Sequence, residues 1–212
     1  MSSSKINVAK QAIDYIKDKL HPEMILGIGT GSTVNFFIEE LGAYKNLFAG
    51  AVSSSEASSN LLNEKGIEVF NLNDVMDIAY YIDGADEVSP NYELIKGGGG
   101  AHTREKIVAS ASNEFVCIVD ETKLVSQLGA FPLPVEVLPE SRSLVARKIV
   151  SMGGTPIYRA GFITAQGNEI LDVKDLDISD PETIEALLNN IPGVVDNGIF
   201  AFNKPKKVLV SS

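Results

Sequence analysis

The sequence predicts an α/β fold built on a largely parallel sheet, and three observations carry that prediction. Short apolar runs alternate with segments of helical periodicity as far as about residue 120, the pattern that feeds parallel strands through crossover helices. Two of those runs end in Gly/Ser/Thr clusters, Gly27-Ile-Gly-Thr-Gly-Ser-Thr33 and Ser53-Ser-Ser-Glu-Ala-Ser-Ser59, that open helices. At Phe131-Pro-Leu-Pro134 and Leu138-Pro139 the texture changes, and helix and hairpin signals follow without the earlier alternation.

Taken in order, Ile6, Ala9, Ile13, Ile16 and Leu20 recur at helical spacing and predict an opening amphipathic helix. Met24–Gly29 reads as a buried strand, and Ser32-Thr33 begins a helix that stops at Gly42. Leu47–Ser53 is the next strand, followed by a helix over Ser55–Lys65 closed by Gly66. Ile67–Phe70 and Ile78–Ile82 are further strands; Thr103–Ser112 is a helix leading into the strand Phe115–Val119. Beyond the proline-rich segment come a helix (Ser141–Met152), a hairpin (Ile157–Thr164 with Glu169–Val173, around Gln166-Gly-Asn168), a helix (Pro181–Asn189) and a strand (Val194–Phe202). The closing strand Lys207–Val210 is placed back in the first sheet. The expected architecture is therefore a Rossmann-like sheet flanked by helices, over residues 1–128 plus 204–212, with a smaller α+β domain over 129–203.

A chain of 212 residues can bury one sizeable core, or a main core with an attached lobe. The net charge of −10 argues against nucleic acid, whose phosphates need a clustered basic surface. It leaves room for a small phosphorylated substrate, which needs only one or two local cations. No apolar stretch approaches the roughly 20 residues of a membrane span, so no membrane partner is expected. The polar opening Met1-Ser-Ser-Ser-Lys5 has no apolar signal core. The single cysteine, Cys117, lies in the apolar run Phe115–Val119 and reads as a buried thiol. One cysteine allows no intrachain disulfide, which fits a reducing, cytoplasmic location.

The richest segment runs from Tyr81-Ile-Asp-Gly-Ala-Asp86 through Lys96-Gly-Gly-Gly-Gly100 to Thr103-Arg-Glu-Lys106. Gly and Asp are poor strand residues, and two acids at a strand end usually face a turn or a ligand. An Asx turn explains one of Asp83 and Asp86 but not the pair with the glycines that follow. In Lys96–Gly100 an ammonium precedes a possible nest of N–H groups, suited to an anion; a flexible surface loop is the plain alternative. Glu105 falls in the first turn of a helix, where the dipole favours an acid for structural reasons alone. Capping and catalysis therefore both remain open for it. Arg104, Lys106 and His102 are accounted for by a solvated helix face. Lys123 follows a strand end on the side where open α/β sheets bind ligands, and a solvated loop lysine explains it equally well.

Gly27–Thr33 joins a strand to a helix start, which presents free N–H groups and partial positive charge. It lacks the lysine of a Walker A loop, and Ser32 stands where a dinucleotide fingerprint has its third glycine. Helix capping accounts for most of Ser53–Ser59, with its hydroxyls able to line the same crevice as the alternative.

Together these motifs resemble the ribose-5-phosphate isomerase family of type A. Gly29-Thr-Gly-Ser-Thr33, Ala51-Val-Ser-Ser-Ser55, Asp83-Gly-Ala-Asp-Glu87, Lys96-Gly-Gly-Gly99 and Thr103-Arg-Glu-Lys106 carry the match. Phe131-Pro-Leu-Pro-Val-Glu-Val137 and Ile191-Pro-Gly-Val-Val195 extend it into the second lobe. The resemblance implies interconversion of ribose 5-phosphate and ribulose 5-phosphate in the non-oxidative pentose phosphate pathway. It further implies no metal or organic cofactor and a homo-oligomer, a homodimer or a tetramer.

By position, Glu105 matches the family's catalytic base, with Asp83, Asp86 and Lys96 as the other catalytic candidates. Thr30, Gly31, Ser32, Thr33, Asp83, Gly84, Ala85, Asp86, Lys96, Gly97, Gly98, Gly99 and Lys123 match its substrate-binding segments. Gly100 and His102 depart from the expected small and apolar residues. The N-terminal lysine that the family sets against the phosphate has no clear counterpart, with Lys10 a poor fit. The alternatives are a non-catalytic sugar-phosphate-binding protein, which would have no need of Glu105 or the Asp pair, and an isomerase of another sugar phosphate.

Overall fold

The computed structural model describes residues 2–211. These form two compact units, each drawn from separated stretches of chain. The first holds the described residues up to Gly84, Arg104–Lys123 and those from Pro205 onward; the second holds Ala85–Thr103 and Leu124–Lys204. The expected division at residues 128 and 204 differs chiefly in the segment 85–103. That segment groups with the second unit because its strand β4 (Glu87–Val88) pairs with β5 (Leu94–Ile95), which pairs in turn with β11 (Ile199–Phe200) of that unit.

In the first unit, β1 (Ile25–Ile28), β2 (Gly50–Ser53), β3 (Ile78–Asp83), β6 (Ser112–Asp120) and β12 (Lys207–Ser211) form one sheet in the order β12-β6-β3-β1-β2. Every pairing in it is parallel. The period-2 alternation of strands assigns side chains to two faces. Leu26, Ile28, Ile82, Val116 and Ile118 share one buried cluster with Val8, Ala12 and Ile16 of α1 (Ser2–Ile16) and Val34, Phe37 and Ile38 of α2 (Ser32–Leu41). On the other face a Cβ added to Gly27 would meet Tyr81 and Val108, the latter from α4 (His102–Ser110). Helices thus cover both faces, as the alternating sequence requires. Chain direction changes between β1 and β3: β2 lies outside β1, and the later strands add beyond β3. In open parallel sheets the crevice at such a switch point, beyond the carboxyl ends of the strands, is where ligands bind.

Two expected elements of this unit differ most. Leu47 belongs to a 3-10 turn (Gly42–Leu47), so β2 starts only at Gly50. Ile67–Phe70 makes a single bridge, Val69 to Ala51, because a 3-10 turn from Leu72 ends it early. The closing strand does return to the sheet, beside β6.

The second unit is antiparallel. β7 (Leu133–Val137), β8 (Thr155–Tyr158), β9 (Glu169–Lys174) and β10 (Val194–Asn197) take the order β10-β7-β9-β8. Val135, Val137, Leu171 and Val173 pack with Val145 and Ile149 of α5 (Arg142–Ser151) and Leu188 of α6 (Pro181–Asn189). The expected single strand Val194–Phe202 is two, broken at Gly198. There the chain leaves β7 for β5: Gly198 donates to Pro134 O (2.8 Å) and accepts from Lys96 N (2.9 Å). A Cβ at Gly198 would lie 2.3 Å from Lys96 O, so only glycine allows the crossing. The hairpin also stops earlier than expected, β8 ending at Tyr158.

Candidate active site

In the first unit the site is organised around Asp83, the last residue of β3, whose side chain is 0% exposed. Its Oδ1 accepts from the N–H groups of Thr30 (3.0 Å) and Gly84 (2.7 Å), and its Oδ2 from the Tyr81 hydroxyl (2.5 Å). A buried carboxylate requires such donors. Here they come from the loop after β1 and from β3 itself, so Asp83 ties the two strands together at the switch point. Gly29 makes room for it, since a Cβ there would lie 1.9 Å from Asp83 Cγ.

The loop Gly29–Ser32 is fastened at further points. Thr30 Oγ1 and Ser54 Oγ are 2.8 Å apart, and Ser58 Oγ donates to Gly29 O (2.7 Å). Gly31 has φ of 122°, a conformation that L residues rarely adopt, and directly precedes α2. Lys5 of α1 donates to Ser32 Oγ (2.7 Å), placing a cation at the start of α2. Ser55 caps α3 (Glu56–Glu64) by accepting from Ser58 N, the structural role the sequence suggested for that cluster.

Glu105 stands in the first turn of α4 and is only 4% exposed. It lies within electrostatic reach of the Tyr81 hydroxyl. Burial first, then the charges of Asp83 and Glu105, push the Tyr81 phenol well above its ordinary range. Tyr81 is therefore a neutral donor among carboxylates. Arg104 reaches Ser53 O at 3.4 Å, so the segment Arg104-Glu105 is braced on the loop after β2. Lys123 is half-buried in the turn after β6, at the carboxyl edge of the same sheet.

In the second unit the glycine turn follows β5. Lys96 is 3% exposed, its backbone held by Gly198 and its Nζ 5.6 Å from the centre of the Phe200 ring. Asp86 Oδ2 accepts from Gly98 N (2.8 Å), so that N–H serves the protein. On the opposite side Arg159 donates to Gly98 O (3.2 Å) and to Gly97 O (3.4 and 3.5 Å) while pairing with Asp172. Gly97 (φ 101°) lies on His102, whose ring would meet a Cβ at 2.7 Å. Gly100 (φ 77°) lies on Phe162, at 2.3 Å from the same probe atom. Both departures from the expected pattern thus have packing reasons: His102 supports Gly97, and Gly100 admits Phe162. Buried Glu136 accepts from Thr103 Oγ1 (2.5 Å), Thr164 Oγ1 (2.7 Å) and Asn168 Nδ2 (2.8 Å).

Each candidate residue therefore falls at a strand end, in a loop after one or in the first helical turn that follows. Thr30, Asp83, Gly84 and Glu105 gather about Tyr81 in one unit; Asp86 and Lys96–Gly99 gather in the other. Tyr81, Ser54, Lys5 and Arg159 were not among the candidates. Tyr81 was legible, two residues before Asp83 on one strand face, and Ser54 lies in the Ser53–Ser59 cluster; Lys5 and Arg159 come from distant sequence and carry no local signal. Lys10 pairs with Glu40 instead. Among the described residues no group of three or more His, Cys, Asp or Glu side chains is placed to hold a metal ion.

The parallel sheet, its polar loops and the buried acid at a helix start define an α/β enzyme that handles small substrates at strand ends. Residues 50–212 match the ribose 5-phosphate isomerase A (phosphoriboisomerase A) family. The chain is 57% identical over 212 residues to ribose-5-phosphate isomerase A of Legionella pneumophila (strain Lens), covering 100% of this chain and 96% of that one. A crystal structure of ribose 5 phosphate isomerase A from Neisseria gonorrhoeae superposes with a TM-score of 0.92 at 49% identity, over 99% of this chain and 94% of that one. A structure of D-ribose-5-phosphate isomerase in complex with phospho-erythronic acid gives a TM-score of 0.88 at 36% identity, over 98% and 93%. The chain belongs to the ribose 5-phosphate isomerase A family.

Proposed function

We propose that this isomerase interconverts ribose 5-phosphate and ribulose 5-phosphate by moving one proton between C2 and C1 through an enediolate, with Glu105 as the base. Family membership makes the chain an isomerase of ribose 5-phosphate; the residue roles are our reading. The observation that carries it is Glu105 itself, a 4%-exposed carboxylate at a helix start beside the Tyr81–Asp83 pair. In the open-chain aldose Glu105 removes the C2 proton. The C–H electrons form the C1–C2 double bond, and the C1 carbonyl oxygen takes the negative charge. Return of the proton to C1, with transfer of the O2 proton to O1, completes the ketose. Every atom is conserved, and one carboxylate can serve both carbons.

The developing oxyanion needs donors already in place. Lys96 and the glycine turn supply them, Gly99 N–H in preference to Gly98 N–H, which Asp86 already holds. Asp86 serves ring opening and the hydroxyl protons, and Asp83 acts through the loop that it holds. The start of α2, with Thr30–Thr33 and Lys5, suits the phosphate, because free N–H groups and a cation converge there. Lys123 adds a second cation at that sheet edge. The phospho-erythronic acid bound by a relative supports this reading: its carboxylate resembles an enediolate, and its phosphate the far end of the sugar.

No helix among the described residues is long and apolar enough to cross a membrane. We assign the enzyme to the cytoplasm on its single cysteine, Cys117, which fits a reducing compartment. Exposed Val150, Ile157 and Ile163 in the second unit support assembly as a homodimer, with a tetramer as the alternative; sedimentation equilibrium distinguishes these from a monomer. The chemical route is tested with ribose 5-phosphate carrying deuterium at C2. A proton route delivers solvent hydrogen to C1 of at least part of the product. Complete retention of the label at C1, with no wash-out from recovered substrate and no loss on slowing turnover, would rule out exchange at a carboxyl base and contradict the enediolate.

A further inference from the structure

We infer that Arg159 is a positioning residue for this reaction: its guanidinium fixes and polarises two successive peptide groups of the glycine turn, so that Gly99 N–H is presented to the developing oxyanion. The inference rests on the reading of Lys96–Gly99 as the oxyanion site.

It begins with peptide geometry. No described peptide is cis, and in a trans peptide the C=O and the following N–H point in opposite directions. Gly97 O faces Arg159, so Gly98 N–H must point away from it. It does, reaching Asp86 Oδ2 at 2.8 Å. Gly98 O also faces Arg159, at 3.2 Å, and the same rule sends Gly99 N–H to the side opposite the guanidinium. Gly99 itself is exposed, and even a Cβ on it would meet nothing within 4 Å. A cation on a carbonyl oxygen draws charge along the amide and strengthens its N–H as a donor.

The guanidinium is itself held. Asp172 grips its other edge through Nε (2.9 Å) and Nη2 (2.5 Å), and the Phe162 ring lies 5.3 Å from Cζ. A planar fork engaged on both edges cannot be reproduced by an ammonium. An arginine needed only to join two loops would account for the ion pair. It would not account for both forks being spent on one carboxylate and two consecutive carbonyls of the turn that carries the candidate donors.

The test compares Arg159→Lys with the wild type by kcat, KM, thermal midpoint, and the affinities of phospho-erythronic acid and inorganic phosphate. Because the lost donor is misaligned rather than removed, kcat should fall about tenfold to a hundredfold, at or below the loss of a whole oxyanion donor. Affinity for phospho-erythronic acid should fall by a similar factor, with KM and phosphate affinity within threefold. Asp172→Asn, which keeps the shape, should show the same pattern more weakly, and it serves if Arg159→Lys does not fold. An unchanged kcat, or equal losses in kcat, KM and phosphate affinity, would overturn the inference. Lys96→Met separates the two levels. If Lys96→Met loses turnover and phospho-erythronic acid affinity while Arg159→Lys keeps both, only the role of Arg159 is wrong. If Lys96→Met also keeps both, the oxyanion reading fails and this inference falls with it.

Discussion

The loop after β1 and the glycine turn after β5 are held by opposite charges. An anion grips the first: Asp83 accepts the Thr30 N–H, and the loop is fixed through a donor that it gives up. The second is gripped on its carbonyl side by a cation, Arg159, which donates to Gly97 O and Gly98 O, while Asp86 takes the single N–H of Gly98 on the other side. The difference decides what each loop can offer a ligand. A carboxylate clamp consumes N–H groups and leaves hydroxyls and a helix start, which suit a phosphate. The guanidinium clamp consumes carbonyls; with Gly98 N–H on Asp86 and Gly100 N–H on Gly97 O, it leaves Gly99 N–H for an oxyanion that exists only in passing.

The sharpest way to break the comparison is Gly29→Ala. Its Cβ would overlap Asp83 Cγ, so the anion clamp must shift. Misplacement of about 1 Å near a reacting group costs on the order of a hundredfold, and kcat/KM should fall by that much or more. An active Gly29→Ala enzyme would show that the clamp is dispensable.

Tyr81→Phe comes next. It keeps the ring in the core but deprives buried Asp83 of a donor, which costs about 1–3 kcal/mol in unfolding experiments. The same residue sets an alkaline limit. An unfolded tyrosine ionises near pH 10, whereas folded Tyr81 holds its proton well above that. Its contribution is therefore complete below pH 10 and is lost as pH climbs from there toward the folded value. Tyr15, raised to about 12 chiefly by its hydrogen bond with Glu114, acts in the same direction. Denaturant midpoints should fall above pH 10 in the wild type and fall less steeply in Tyr81→Phe.

The smallest effect is expected of Lys5→Met, which removes the cation beside Ser32. A charged contact this exposed is screened by solvent and contributes about 1 kcal/mol or less, so KM should rise roughly threefold to fivefold with kcat nearly unchanged. An unchanged KM would move the phosphate away from the anion-clamped loop and dissolve the functional half of the comparison.

Much of this architecture was legible because local pattern and tertiary structure agree. Helix α6 has the bounds its Pro181 start and apolar period suggest, and the parallel sheet follows from the alternation. Where they diverge, long-range pairing had decided the outcome. Strands β4 and β5 are two residues each and exist only by pairing with each other and, for β5, with β11. Strand β7 contains Pro134, which would normally argue against a central strand. It is tolerated at the break in the ladder, where Gly198 donates to Pro134 O and Gly198 O takes its own donor from Lys96 N, so no Pro134 N–H is needed. The candidate site shows the same divide. Glycines, paired acids and Glu105 stand in contiguous motifs, but the groups that hold them do not. Lys5 meets Ser32 across 27 positions and Arg159 meets the glycine turn across about 60. No period or spacing in one sequence can report such contacts.

The most direct test of the central claim is turnover of ribose 5-phosphate by Glu105→Gln beside the wild type, in chelator, with substrate binding measured calorimetrically on the variant. General-base removal should lower kcat by about a hundred- to ten-thousandfold while substrate affinity stays within a few-fold. Near-normal turnover by Glu105→Gln would show that another group moves the proton and would contradict the account.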